Sequence, residues 1–303
     1  MIIRLQSASP HQDRRAAPHE RPGGYETYIL HERAREYYAE GAGGLSIKSF
    51  FHGQASYEIG RGQYRLDDRS YLIVNQGQPY AVTIESQAEV ESFCIFFGDG
   101  FAEEVRRSLL APTDLLLLDP QPPASTPVTF VERSYPHDDT LSPALLHLRA
   151  QIARRPVEQA WLREQLHAIM QQLLHVDQCV YHEMERLSSA RAATRHELYR
   201  RLYLAKDYVD ASFDQPITLA DMASVAGLSP NHLLRVFRQL FHQTPYQYIT
   251  ARRLEHARHL LRHSDRSVTD ICLSLGFESL GSFSWLFRRH IGISPAAYRR
   301  ETR

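Results

Sequence analysis

The stretch that decides the fold of this chain runs from Ile217 to Phe241 and reads ITLADMASVAGLSPNHLLRVFRQLF. Thr218 followed three residues later by Asp221 forms a capping-box-like pair, which predicts that a helix begins here. Gly227 predicts the end of that helix, since glycine is favoured just after a helix C-terminus. Ser229, with a proline directly after it, predicts the start of a second helix. The stretch therefore predicts two short helices joined by a tight turn.

Each of the two predicted helices has an apolar face, because apolar residues recur three and four positions apart. These residues are Leu219, Met222, Ala223 and Ala226 in the first helix, and Leu233, Val236, Phe237 and Leu240 in the second. The opposite face of the second helix carries Asn231, Arg235 and Arg238. A short helix, a turn and a helix with exposed hydrogen-bonding side chains form the helix-turn-helix motif.

The same pattern occurs a second time nearer the C-terminus. Residues 267–277 repeat the capped helix and the glycine turn, and residues 279–290 repeat the second helix. Between the two copies, residues 245–262 are predicted to form one helix, which at 1.5 Å per residue spans about 27 Å. This connecting helix can hold the second helices of the two copies in successive major grooves, which are about 34 Å apart on one face of DNA.

The segment from about Leu198 to Arg300 resembles the DNA-binding domain of AraC-type bacterial transcriptional regulators and covers about a third of the chain. The resemblance rests on Ile217, Leu219, Ala223, Gly227, Ser229, Leu233, Phe237, residues 248–252, Ala257, Leu260, Leu261, Val268, Ile271, Gly276, Phe277, Phe283, Phe287 and residues 293–295. It implies a sequence-specific regulator of transcription, expected to be an activator, that binds double-stranded DNA and has RNA polymerase as a further partner.

The resemblance also assigns residues to the DNA. The second helix of each motif is its recognition helix. In the first recognition helix the resemblance implies contacts with base edges, with Arg235 suited to guanine and Asn231 to adenine. In the second recognition helix, Ser284 is the polar side chain expected to hydrogen-bond a base. Trp285 either contacts DNA through its ring or turns into the core. The predicted DNA-binding set is Ser229, Asn231, Leu234, Arg235, Arg238, Leu280, Ser284, Trp285, Arg288 and Arg289, of which the last two are expected at phosphates.

Composition agrees with this reading. A chain of 303 residues is long enough for about two domains. The net charge of zero hides an asymmetry, because residues 195–303 carry +6 and the preceding residues −6. A basic C-terminal domain fits phosphate contacts. The three cysteines are far apart and odd in number, which favours a reducing cytoplasm over a disulfide framework. No apolar run approaches the ~18 residues of a membrane span, and no signal peptide is expected.

The N-terminal part is predicted to contain short strands separated by glycine-containing turns. The predicted strands are 25–31, 44–52, 56–59, 70–75, 80–85 and 90–97. They indicate an antiparallel barrel or sandwich, and their order resembles the cupin-like sensor domain of the same family. The predicted fold class is α+β with two domains. Their boundaries are 1–187 for effector sensing and dimerisation, 188–197 for a linker, and 198–303 for DNA binding.

Strand alternation predicts the lining of an effector pocket. Tyr80 and Val82 share a face of one strand, and Ser92, Cys94 and Phe96 share a face of a later one. If both faces point inward, they form a mostly apolar wall suited to an uncharged or aromatic-bearing metabolite.

Two alternatives to a simple effector sensor stay open. One is a redox-sensing regulator with Cys94 as the switch, and the other is a cupin enzyme carrying a DNA-binding tail. Metal-dependent cupins need several converging histidines and a carboxylate, whereas only His31 and His52 lie near the predicted strands. The prediction is therefore no catalytic residue, no metal and no other cofactor.

Two helices are predicted after the barrel, over 140–155 and 158–187. In the second, apolar residues recur every four and three positions, which is a heptad seam. The seam consists of Leu162, Leu166, Ile169, Leu173, Val176 and Val180. We expect a homodimer through this helix, and the alternative is that the stripe covers the open face of the barrel.

Overall fold

The structure is a computed structural model that describes residues 24–110, 126–154, 156–187 and 191–302. The chain divides into two compact units, Met1–Glu185 and Arg186–Arg303. The division falls close to the predicted end of the first domain. Among the described residues, no helix has both the length and the apolar composition needed to cross a bilayer.

The first unit is built on a nearly closed antiparallel β-barrel, as predicted. Its strands are β1 (Tyr28–Gly41), β2 (Ser46–Phe51), β3 (Ala55–Ile59), β4 (Gly62–Leu66), β5 (Ser70–Val74), β6 (Tyr80–Phe96) and β7 (Ser134–Pro136). Strand β6 is central, because β1 pairs along one edge while β2 and β3 pair along the other. The two strands predicted over 80–85 and 90–97 are thus one continuous strand, and β4 and β7 were not predicted.

Side-chain alternation separates the barrel interior from its outer face. Strand β2 is buried at all six positions. Its residues Ser46, Lys48 and Phe50 lie directly opposite Phe96, Cys94 and Ser92 of β6. Residues directly opposite in an antiparallel pair share a face, so these six form one surface, which we call the interior face.

The described residues of the first unit also form the helices α1 (Phe101–Leu110), α2 (Ser142–Arg154) and α3 (Gln159–Glu185). The heptad seam lies on α3, and all six of its residues are buried within this single chain. The predicted dimer contact through the seam is therefore wrong. The stripe covers apolar surface of its own unit, as the alternative interpretation holds, because a 4-3 spacing serves a globular core as well as a coiled coil.

The second unit is entirely helical over its described residues. Its helices are α4 (Ala192–Ser212), α5 (Leu219–Ala226), α6 (Pro230–Phe241), α7 (Pro245–His263), α8 (Val268–Ser274), α9 (Leu280–Ile291) and α10 (Pro295–Thr302). Both helix-turn-helix motifs are present, as α5–α6 and α8–α9, with α7 between them. Helix α4 begins inside the stretch 188–197 that the sequence predicts as linker, so most of that stretch is helical.

The first motif folds through the local signals in its sequence. Thr218 and Asp221 exchange hydrogen bonds in a capping box at the start of α5. Gly227 ends the helix with φ 61°, a left-handed conformation in which glycine has no Cβ to clash. The Ser229 hydroxyl then accepts a hydrogen bond from the His232 backbone N–H at the start of α6. These caps fix the sharp turn that lets α6 lie across α5.

Candidate nucleic-acid interface

Helix α6 has one buried and one exposed face. Leu233 and Phe237 are fully buried, whereas Asn231, Arg235 and Arg238 are exposed. The remaining two residues of the predicted DNA-binding set here, Leu234 and Ser229, are also exposed. The helix therefore presents two guanidinium groups and one amide to solvent, which are the side chains best suited to guanine, adenine and phosphate.

Helix α9 presents a different surface. Phe283 and Phe287 are buried beneath it, and Leu280, Trp285, Arg288 and Arg289 are exposed, with Ser284 half-buried. Trp285 is 59% exposed, so of the two alternatives for this ring the structure shows the outward one. The Arg289 guanidinium lies 5.2 Å from the centre of the Trp285 ring, close enough for a cation–π contact.

An arginine that the sequence analysis did not single out ties α7 to the turns around it. Arg253 donates hydrogen bonds to the backbone oxygens of Phe213, Gln215 and Gly276. Gly276 is the glycine of the second helix-turn-helix turn and has φ 70°. A guanidinium offers five donors in a fixed plane. The Arg253 side chain therefore holds the residues after α4 and the turn of the second helix-turn-helix motif against α7.

A partly buried ionic cluster joins α4 to α7. Asp210 accepts hydrogen bonds from the Tyr248 hydroxyl at 2.7 and 2.8 Å and from Lys206 Nζ at 2.8 Å, and it pairs with Arg252 Nε at 2.6 Å. Burial alone would raise the pKa of Asp210, but Lys206 and Arg252 outweigh burial and hold that pKa below its usual value. Asp210 is therefore the anion on which this helix pair depends.

The barrel interior brings together residues from both predicted strand faces. Lys48 Nζ lies 3.5 Å from the centre of the Phe96 ring and 4.9 Å from that of the Tyr80 ring. Val82, Ser92 and Cys94 are buried on the same strand. Lys48 was not predicted from the sequence, although a lone lysine inside the apolar stretch 45–51 is itself an unusual signal.

Cys94 lies in a setting unlike that of a reactive thiol. Its side chain is buried, and burial raises the pKa of the thiol, with Lys48 only partly opposing the effect. Reactive cysteines need a thiolate and access to oxidant. The geometry therefore gives no support to the redox-switch alternative.

On the outer face of the barrel, one carboxylate is surrounded by cationic side chains. Glu91 of β6 is 3% exposed and lies 2.6 Å from Arg149 Nε, 2.8 Å from His31 Nε2 and 3.1 Å from Arg33 Nη2. Burial alone would raise the pKa of Glu91, but the hydrogen bonds from Arg149 and His31 lower it to about 2. Because Arg149 belongs to α2, Glu91 links that helix to the barrel.

A cleft of about 170 Å³ also opens in the first unit, between β7 and α3. Its lining includes Arg133, Tyr135, His175, Cys179 and Glu183. None of the five predicted effector residues lines it, so it is separate from the predicted pocket.

Comparison with known proteins matches the second unit. Residues 222–301 match a family model described as a helix-turn-helix domain. A 93-residue segment is 39% identical to the regulatory protein SoxS of Salmonella typhimurium, covering 31% of this chain and 87% of SoxS. Another match is 37% identical over 93 residues to the melibiose operon regulatory protein of Escherichia coli (strain K12), covering 31% of each chain.

A longer match is 39% identical over 116 residues to the HTH-type transcriptional activator RhaS of Klebsiella pneumoniae (strain 342), covering 38% of this chain and 41% of RhaS. The matched part thus spans about a third of the melibiose regulator but most of SoxS.

Proposed function

Because this chain belongs to the AraC-type family of transcriptional regulators, we propose that it activates transcription at specific DNA sites in response to a small molecule bound in its barrel. The observation that carries the proposal is the pair of helix-turn-helix motifs, each with a second helix that exposes arginine side chains. Two such helices joined by α7, which is about 28 Å long, suit two successive major grooves.

We propose that α6 supplies most of the direct base readout, with Arg235 bound to a guanine through O6 and N7. Changing Arg235 to alanine is expected to relax specificity at one or two operator positions, by about 1–3 kcal/mol each, because a bidentate pair is lost. The measurement is selection of bound duplexes from a randomised library, followed by sequencing, with wild type and variant in parallel.

The matched control for Arg235 is Arg61→Ala, which removes an exposed arginine from the turn between β3 and β4. The control is expected to select the wild-type sequence. If Arg235→Ala also selects the wild-type sequence with unchanged base preferences, this residue does not read a base.

For Arg288 and Arg289 we propose phosphate contacts. Replacing either with alanine is expected to weaken binding to all duplexes alike. It should also reduce the slope of log K against log salt by about 1, since each phosphate contact releases about one counterion. Binding titrations at four or more salt concentrations measure the slope, again with Arg61→Ala as control. A change in base preference at constant affinity would contradict the phosphate role.

An effector role for the barrel is supported by its interior face, where Lys48 lies opposite Cys94 and beside the rings of Tyr80 and Phe96. Activation is supported by the similarity to RhaS, which is named a transcriptional activator. Contact with RNA polymerase is part of the same proposal. The relatives are named as regulatory proteins, which favours a regulator over an enzyme with a DNA-binding tail.

A homodimer stays part of the proposal, but it needs a surface other than the buried seam of α3. The outward face of α3 is polar, with Arg163, Glu164, Gln171 and Gln178 exposed. Sedimentation velocity of the full chain at micromolar concentration decides between monomer and dimer.

A further inference from the structure

Lys48 is the most unusual residue of the barrel. It is one of only two lysines in a chain that has 33 arginines, and it is 1% exposed on the interior face. Among the described residues, its ammonium group has neither a hydrogen-bond acceptor nor an ion-pair partner; its close neighbours are the rings of Phe96 and Tyr80. A charged amine in such a place normally has a partner.

A second polar group on the same face lacks a partner. The hydroxyl of Ser46, two residues before Lys48 on β2, is buried and makes no hydrogen bond with any described residue. Ser46 and Lys48 point to the same side of the strand, about 7 Å apart along it. In the part of the chain that the structure describes, Lys48 Nζ and Ser46 Oγ are thus two donors on the interior face without an acceptor.

Aromatic rings surround these donors. Tyr28 stacks on Phe96 with ring centres 4.2 Å apart, and Tyr57 lies 5.7 Å from Tyr80. Cation–π contact with the rings offsets part of the cost of burying the amine, but rings accept no conventional hydrogen bond. An apolar wall with a few convergent polar groups is the usual make-up of a ligand site.

An acidic residue on the same face does not pair with Lys48. Glu32 lies opposite Ser92 and therefore belongs to the interior face, but no ion pair joins it to Lys48 within the described part of the chain. Burial raises the pKa of Glu32, which favours its neutral form. Burial lowers the pKa of Lys48 to about 8, and a carboxylate beside the amine would favour its charged form.

We propose that the barrel binds a small carboxylic acid with an apolar or aromatic body, whose carboxylate accepts hydrogen bonds from Lys48 Nζ and Ser46 Oγ. The body packs against Phe96, Tyr80 and Tyr57. This inference rests on the proposed effector role and narrows the class of ligand. The sequence alone predicts an uncharged or aromatic-bearing metabolite, whereas the ligand proposed here carries a carboxylate.

The test is isothermal titration of the full chain with benzoate, 4-hydroxybenzoate and octanoate, each beside its neutral amide. At least one acid is expected to bind, and its amide to bind at least 10-fold more weakly. Lys48→Met keeps the length of the side chain and removes the charge. It is expected to weaken binding of the acid by about 10- to 100-fold, since hydrogen bonds to charged groups are worth about 1.5–3 kcal/mol.

Folding of the variants is checked separately. Lys48→Met without ligand is expected to melt at or above the wild-type temperature, because it removes a buried amine that lacks an acceptor. Ser46→Ala is expected to weaken binding of the acid by a smaller factor than Lys48→Met does. Ser49→Ala, which removes a buried hydroxyl from the opposite face of β2, is the matched control and should leave binding unchanged.

The proposal is overturned if no acid binds, if acid and amide bind equally, or if Lys48→Met binds the acid as wild type does. If the neutral amides bind and the acids do not, the barrel still has an effector role, but its ligand is not a carboxylic acid. DNA binding is titrated on the same samples, so failure of the regulator proposal appears as loss of duplex binding whatever the acids do.

Discussion

Replacing Asp210 with alanine is expected to destabilise the second unit by about 2–3 kcal/mol, because a partly buried carboxylate that accepts hydrogen bonds from charged groups is lost. The variant removes the carboxylate of Asp210 from Lys206 and Arg252 and the acceptor of the Tyr248 hydroxyl, while Lys206 keeps Asp207 at 3.8 Å. These groups join α4 to α7, the helix between the two motifs. The melting temperature of this unit is expected to fall by about 10 °C or more, and DNA binding should weaken with it.

Differential scanning calorimetry of the full chain measures this effect. The matched control is Glu255→Gln, which neutralises a carboxylate on α7 that pairs with Arg258 near the surface. Exposed pairs contribute about 0–1 kcal/mol, so the control should melt within about 2 °C of wild type. If Asp210→Ala and Glu255→Gln melt alike, the cluster does not hold the helix pair.

Changing Glu91 to glutamine is expected to destabilise the first unit by about 3 kcal/mol at neutral pH, because Arg149 and His31 lose the anion that faces them. The effect depends on pH. The pKa of Glu91 is lowered in the folded state, so its stabilisation is present above the ordinary value of 4.5 and is lost as pH falls towards about 2. Wild type and variant should therefore converge in acid.

Urea unfolding at pH 7, 5, 4 and 3 tests this convergence. Glu85→Gln changes an exposed carboxylate on the same strand and is expected to follow wild type at every pH. A stability difference between wild type and Glu91→Gln that stays constant from pH 7 to pH 3 would show that the ionised carboxylate is not what stabilises the unit.

The second unit could be predicted closely because its signals are local. The Thr218 cap, the Gly227 turn and the Ser229 cap each act through hydrogen bonds within four residues. Such signals can be recognised from neighbouring residues in the sequence. The buried faces of α6 and α9 follow from helical periodicity for the same reason.

The first unit was predicted less well because its decisive contacts join residues far apart in the chain. Glu91 and Arg149 are 58 residues apart, and nothing near either one marks the pair. The seam of α3 shows the same limit, since its spacing does not say whether the covering surface belongs to this chain or to a second copy. Lys48 needed the pairing of β2 with β6 to be placed beside Phe96.

The central claim is that one chain reads DNA with two helix-turn-helix motifs. The most direct measurement is methylation interference on the duplex that the full chain selects from a randomised library. We expect two major-groove segments about 10 base pairs apart on one face of the DNA, with Arg235→Ala removing interference from a guanine in one segment only. A single segment, or no enriched sequence, would show that the two motifs do not read DNA together.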